Sequence, residues 1–130
     1  MSIERPRVLL ADDFPDLLTA TQRLLALDCE VVGSVDDGGA LLKAAERLQP
    51  DVIVVDLNLP TVNGLDACRQ ITRAHPHIRV ILVTAGRDPA IMGAALEAGA
   101  SAFIEKRAMA DELLPAIKRL WATVQTPNVM

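Results

Sequence analysis

Much that would mark an easily recognised chemistry is missing from this 130-residue chain. Its two cysteines, Cys29 and Cys68, stand far apart with no CxxC or Cys/His spacing, which excludes a disulfide framework and a thiolate zinc site. They read as small apolar residues of a reducing cytoplasm. No apolar run approaches the roughly 18 residues of a membrane span. Residues 1–7 carry charge where a secretory signal would need an apolar stretch, so a cytoplasmic location is expected, with no membrane partner. Positive charge is not in excess either: 13 Lys and Arg face 17 Asp and Glu, a net −4. Without a basic field to hold a polyanion, this chain is not expected to bind nucleic acid by itself. Internal repeats, low-complexity stretches and a second-domain boundary are absent too.

What is present is a 51% hydrophobic composition, enough for one domain to bury a core without staples. Short β-branched apolar runs alternate with segments of helical period. Arg7–Ala11 reads as a strand and residues 14–27 as a helix, with Leu17, Leu18, Leu24 and Leu25 on one face. A strand at Glu30–Val35, a helix at 40–48 and a strand at 51–56 follow. The third helix, 65–74, turns Leu65, Cys68 and Ile71 inward and cannot pass Pro76. Arg79–Thr84 supplies a fourth strand; Asp88-Pro89 opens the fourth helix and Gly99 closes it. Residues 101–106 form the fifth strand. The last helix spans about 111–123, where Pro115 demands either a late start or the loss of one backbone bond. One domain over residues 1–124 is expected, with 125–130 a tail or the stub of a linker.

Five βα units with near-continuous Val/Ile/Leu strands imply a parallel sheet covered on both faces, a doubly wound α/β fold. Ligands of such sheets bind beyond the carboxyl ends of the strands, where strand order reverses. Asp12 and Asp13 end the first strand, Asp56 the third, Thr84 the fourth and Lys106 the fifth. With strand order 2-1-3-4-5, strands one and three are neighbours at the reversal and three carboxylates converge. Such close anions call for a cation, and an all-oxygen set with room for water suits Mg²⁺. A carboxylate can also be a nucleophile, forming an aspartyl phosphate while a divalent cation and an ammonium offset the transferring charge. Asp56 is the expected nucleophile, with Lys106 and the Thr84 hydroxyl holding phosphoryl oxygens.

Plainer readings stand beside these. Asp12-Asp13 can be a capping pair, Asp56 a solvated strand end, Thr84 a β-branched strand residue, and Phe103 ordinary core. His75-Pro76-His77 has a proline between its rings and no third ligand, so it reads as a solvated turn. Gly64 after Asn63 serves a tight turn into the third helix. Gly93, Ala94, Ala95 and Leu96 permit close packing of another chain or form a tolerant surface.

Taken in order, Ala11-Asp12-Asp13-Phe14, Val54-Val55-Asp56-Leu57-Asn58-Leu59-Pro60, Asn63-Gly64, Val83-Thr84-Ala85 and Phe103-Ile104-Glu105-Lys106 resemble the successive motifs of the receiver domains of bacterial two-component response regulators. The resemblance covers about residues 7–123, and its specificity lies in the ordered set. It implies the flavodoxin-like receiver fold. It also implies that Asp13 and Asp56 ligate Mg²⁺ directly, that Asp12 acts mainly through water, and that the Asn58 backbone carbonyl completes the protein ligands. The phosphodonor would be a sensor histidine kinase, with acetyl phosphate as a small substitute. The domain would then be a switch with slow self-catalysis rather than an enzyme. Thr84 would swing toward the phosphoryl group and Phe103 turn inward behind it. The face of the fourth helix, fifth strand and fifth helix would change, serving output or a homodimer.

Two positions depart from the pattern. Phe103 lacks the hydroxyl that a tyrosine would offer there. Arg107 stands where the family commonly has proline with a cis peptide; a non-proline cis bond costs roughly 2.5–4 kcal/mol, so a trans bond is expected. Residues 97–103 with Lys106-Arg107 resemble receivers joined to a helix-turn-helix domain. Either such an output domain is missing from this chain, or the chain is a lone regulator acting through protein contact. Two rival functions are a pseudo-receiver that never takes phosphate and a haloacid-dehalogenase-like phosphatase. The latter wants a second aspartate as acid/base where Asn58 stands.

Overall fold

Strands β1 (Arg7–Ala11), β2 (Glu30–Val35), β3 (Val52–Asp56), β4 (Arg79–Thr84) and β5 (Ala102–Glu105) form one parallel sheet in the order β2-β1-β3-β4-β5. The computed structural model describes residues 4–125. Helices α1 (Pro15–Leu25), α2 (Gly38–Leu48), α3 (Gly64–Ala74), α4 (Pro89–Glu97) and α5 (Met109–Gln125) complete the five βα units. The doubly wound order expected from the sequence is thus the order observed.

The sheet buries both faces because its strands alternate apolar side chains to either side. Leu9, Ile53, Val55 and Leu82 pack with Leu41 of α2, Ile71 of α3 and Ala95 of α4. Val8, Leu10, Val54, Ile81 and Val83 pack with Leu25 of α1 and with Leu113 and Ile117 of α5. Each such side chain contributes about 1.5–3 kcal/mol when fully buried. All five residues of the central strand β3 are buried, so Asp56 is delivered to the rim by a strand with no solvent face.

Several element ends differ from the sequence expectation. Helix α1 is shorter: Phe14 stays extended as its N-cap, and the helix stops at Leu25, leaving Leu27 90% exposed. Helix α2 starts two residues early, because the Asp37 side chain caps it by accepting the Ala40 N–H at 2.7 Å. Strand β5 ends at Glu105, and Lys106 opens a 3₁₀ turn over Lys106–Ala108 instead of closing the strand. Helix α5 begins at Met109 and runs through Pro115. The backbone bond to the Asp111 carbonyl is given up on the exposed side, while Leu113, Ala116, Ile117 and Leu120 hold the helix to the sheet. Gln125 belongs to this helix, and the rest of the expected tail, 126–130, lies outside the described residues. No helix among the described residues is long and apolar enough to cross a membrane.

Candidate phosphoryl site

Register decides which strand ends meet. Ala11 of β1 lies opposite Val55 of β3, so the next residues, Asp12 and Asp56, emerge side by side at the carboxyl edge. One oxygen each from Asp12, Asp13 and Asp56 lie within 4.8 Å of one another. Asp12 and Asp56 are buried and Asp13 is exposed, so the cluster has a dry floor and an open mouth. Burial chiefly raises the Asp12 carboxyl above the usual carboxylate range. The Phe14 N–H, donating to Asp12 Oδ1 at 2.9 Å, and then Lys106 oppose this, while Asp56 and Asp13 add to it. Asp12 therefore also does the loop-capping work of its plainer reading.

Lys106 reaches in from the 3₁₀ turn: its Nζ donates to Asp56 Oδ2 at 3.2 Å and stands 3.9 Å from Asp12 Oδ2. Asp56 is 3% exposed, but the Lys106 side chain is 34% exposed, so solvent reaches the pair from the lysine side. The other Asp56 oxygen, Oδ1, accepts the Asn58 N–H at 3.3 Å. The bond preceding Arg107 is trans, as expected, and Lys106 makes its contact from that geometry.

The chain leaving Asp56 is fixed closely. A side chain at Gly64 would collide with the Asp56 carbonyl oxygen and lie 2.8 Å from Leu57 Cα. Glycine is required there by contact with the site's backbone, beyond the needs of a turn. The Gly64 N–H donates to the Leu57 carbonyl at 2.8 Å, and Asn63 caps α3 by accepting the Asp66 N–H at 2.9 Å. Within the same loop Thr61 takes the left-handed conformation (φ 66°). Its Oγ1 accepts the Gly39 N–H at 3.0 Å and donates to Asp37 Oδ1 at 3.2 Å, pinning the loop to the start of α2.

Thr84 ends β4, buried, with Glu105 as its partner in the register of β4 and β5. Phe103 pairs with Leu82 and is half-buried against the α2–α4 side of the core. Asp12, Asp13, Asp56 and Lys106 are thus brought together, with Thr84 on the same rim. The two histidines are elsewhere, before β4 at the opposite edge. There Gln49 bridges them, its Oε1 2.8 Å from His77 Nε2 and its Nε2 3.4 Å from His75 Nδ1. Both cysteines are buried, and burial pushes each thiol up to about 11.

Three convergent carboxylates, all oxygen donors, one open to water and only partly offset by a single ammonium, fit a hard divalent cation such as Mg²⁺. One feature of the rim had no sequence signal: Glu105 is a buried carboxylate held by two arginines, Arg87 and Arg107. A glutamate at a strand end gives no sign in one dimension that it points inward, or that residues 18 before and 2 after supply its counter-charges.

Residues 8–118 match the model of the response regulator receiver domain. The chain is similar to the response regulator GacA of Pseudomonas viridiflava, 38% identical over 118 residues that cover 89% of this chain and 55% of that protein. Among solved structures it is similar to the signal receiver domain of NarL from Mycobacterium tuberculosis, with a TM-score of 0.84 at 30% identity over 95% of this chain and 98% of that one. It is also similar to RcsB from Salmonella enterica serovar Typhimurium bound to the rprA promoter in the presence of the phosphomimetic BeF₃⁻. There the TM-score is 0.80 at 27% identity, covering 88% of this chain and 67% of that one. The chain spans about half the length of the curated relatives it matches.

Proposed function

The chain belongs to the response regulator receiver family, whose members are signalling switches, and from that premise we propose that it is switched by phosphoryl transfer to Asp56. The observation that carries this is the meeting of Asp56 with Asp12 and Asp13 within 4.8 Å, with the Lys106 ammonium 3.2 Å from the Asp56 carboxylate. An Asp56 oxygen attacks the phosphorus of a sensor histidine kinase's phosphohistidine. The O–P bond forms as the P–N bond breaks, and the imidazole keeps the electron pair. Acetyl phosphate, losing acetate, serves as a small donor by the same step. Asp13, Asp56 and the Asn58 backbone carbonyl would hold Mg²⁺, with Asp12 acting through water; when bound, the ion offsets charge on the transferring group.

Lys106 already pairs with Asp56, so its ammonium needs only a small shift to hold a phosphoryl oxygen. The Thr84 hydroxyl holds a second oxygen and moves toward it. Phosphorylation adds about −1.5 to −2 charge, and the β4–α4 loop follows Thr84 while Phe103 turns further inward. The face formed by α4, β5 and α5 thereby changes, as the surface for an output domain or a homodimer. The half-length match to its relatives and the likeness to a promoter-bound regulator support a helix-turn-helix output domain beyond a receiver of residues 1–124, joined through 125–130. Acting in the cytoplasm, the domain would be a phosphoacceptor with slow self-catalysed gain and loss of phosphate, not a turnover enzyme.

Incubation with acetyl phosphate and Mg²⁺, read by intact mass, tests the reading. One added phosphoryl group on the wild-type chain is expected. No adduct from acetyl phosphate or a kinase would favour a pseudo-receiver, and steady hydrolysis of a small phosphate ester would favour a phosphatase.

A further inference from the structure

One buried charge near the pocket, Glu105, takes no direct part in holding the phosphoryl group or the cation. Glu105 ends β5, pairs with Thr84 across the sheet, and immediately precedes Lys106. Its carboxylate is buried, so its charge is stripped of water and must be met by protein donors. Each oxygen has one: the Arg87 Nε–H donates to Oε1 at 2.7 Å and the Arg107 Nε–H to Oε2 at 2.8 Å. Arg87 comes from the β4–α4 loop, three residues after Thr84, and Arg107 follows Lys106. One carboxylate therefore ties the loop that carries Thr84's movement to the turn that carries Lys106.

We infer that Glu105 is a positioning residue for Lys106, acting through an Arg87–Glu105–Arg107 clamp that holds the two phosphate-binding arms of the pocket as one unit. The inference rests on the phosphoacceptor reading only for its consequence in rate. Arg107 stands where the receiver family commonly has proline, so no ring restrains the 3₁₀ turn that follows β5. The clamp supplies restraint from both sides of that turn. Both arginines are exposed at their outer ends, and an exposed ion pair alone would add little. Here the carboxylate is buried, so withdrawal of either arginine strips an oxygen of its donor and the segment must rearrange to rehydrate it. Since Lys106 is the next residue, that rearrangement moves the ammonium away from Asp56.

The test follows the Lys106 side-chain ammonium by NMR in protein labelled at lysine nitrogen, without any phosphodonor, in wild type, Arg87→Ala, Glu105→Gln and the double variant. Arg87 is largely exposed and belongs to neither hydrophobic cluster, so its truncation opens no cavity in the core. A displaced Lys106 signal is expected in Arg87→Ala and in Glu105→Gln, with the double variant no further displaced than Glu105→Gln. Phosphorylation by acetyl phosphate with Mg²⁺ should then slow on the order of 10-fold in the same variants. An unmoved Lys106 signal in Arg87→Ala, or additive displacements in the double variant, overturns the clamp. Wild-type protein that takes no phosphoryl group while its variants still displace Lys106 overturns the phosphoacceptor reading and supports the clamp.

Discussion

At Asp56 two electrostatic effects oppose one another: crowding by Asp12 and Asp13 on one side, and the Lys106 ammonium at 3.2 Å on the other. Replacing Asp56 by Asn removes both together. The variant should therefore unfold within about 1 kcal/mol of wild type in Mg²⁺-free denaturant titrations, while taking up no phosphoryl group. Lys106→Ala should keep the fold but lose the phosphate-dependent shifts of α4 and β5 amide signals; wild-type shifts in that variant would remove Lys106 from the switch. The thiols of Cys29 and Cys68 are raised to about 11 by burial, so at neutral pH both are protonated and sheltered. Neither should be alkylated by iodoacetamide in the native protein, and both should react once it is unfolded. The acidic residues, Thr84 and Lys106 were legible in the sequence because each lies at the end of an apolar run. Glu105 was not, because its burial depends on side chains that only the folded rim brings together.

Elements were legible where hydrophobic period decides them, and less so where a cap or a tertiary contact does. The bounds of β1, β2 and β4 follow directly from their apolar runs. Helix α2 starts earlier than its composition suggests, since the Asp37 cap and the β3–α3 loop hold two glycines in helical form. Helix α5 tolerates Pro115 because its buried stripe outweighs one missing bond. Helix α3 starts at Gly64, whose lack of a side chain lets the Asp56 carbonyl approach. Gly64→Ala should push against that backbone and destabilise the domain by about 1–3 kcal/mol in urea unfolding. Wild-type stability there would mean that the loop after Asp56 yields freely.

On the scale of the whole molecule, a doubly wound sheet is what lets residues as distant in the chain as Asp12 and Lys106 act at one rim. Alternating strands build two covered faces, and the polar residues Asp12, Asp56, Thr84 and Glu105 collect at or just beyond their carboxyl ends. A cation bound there only in the folded state should stabilise the domain, by about 2.7 kcal/mol at a hundredfold excess over its Kd. Melting with and without Mg²⁺ should show this in wild type, and weakly or not at all in Asp13→Asn. The most direct measurement is the intact mass of wild type and Asp56→Asn after parallel incubation with acetyl phosphate and Mg²⁺. One phosphoryl group on the wild type and none on the variant is the predicted result. An unmodified wild type, or equal uptake by Asp56→Asn, would contradict it.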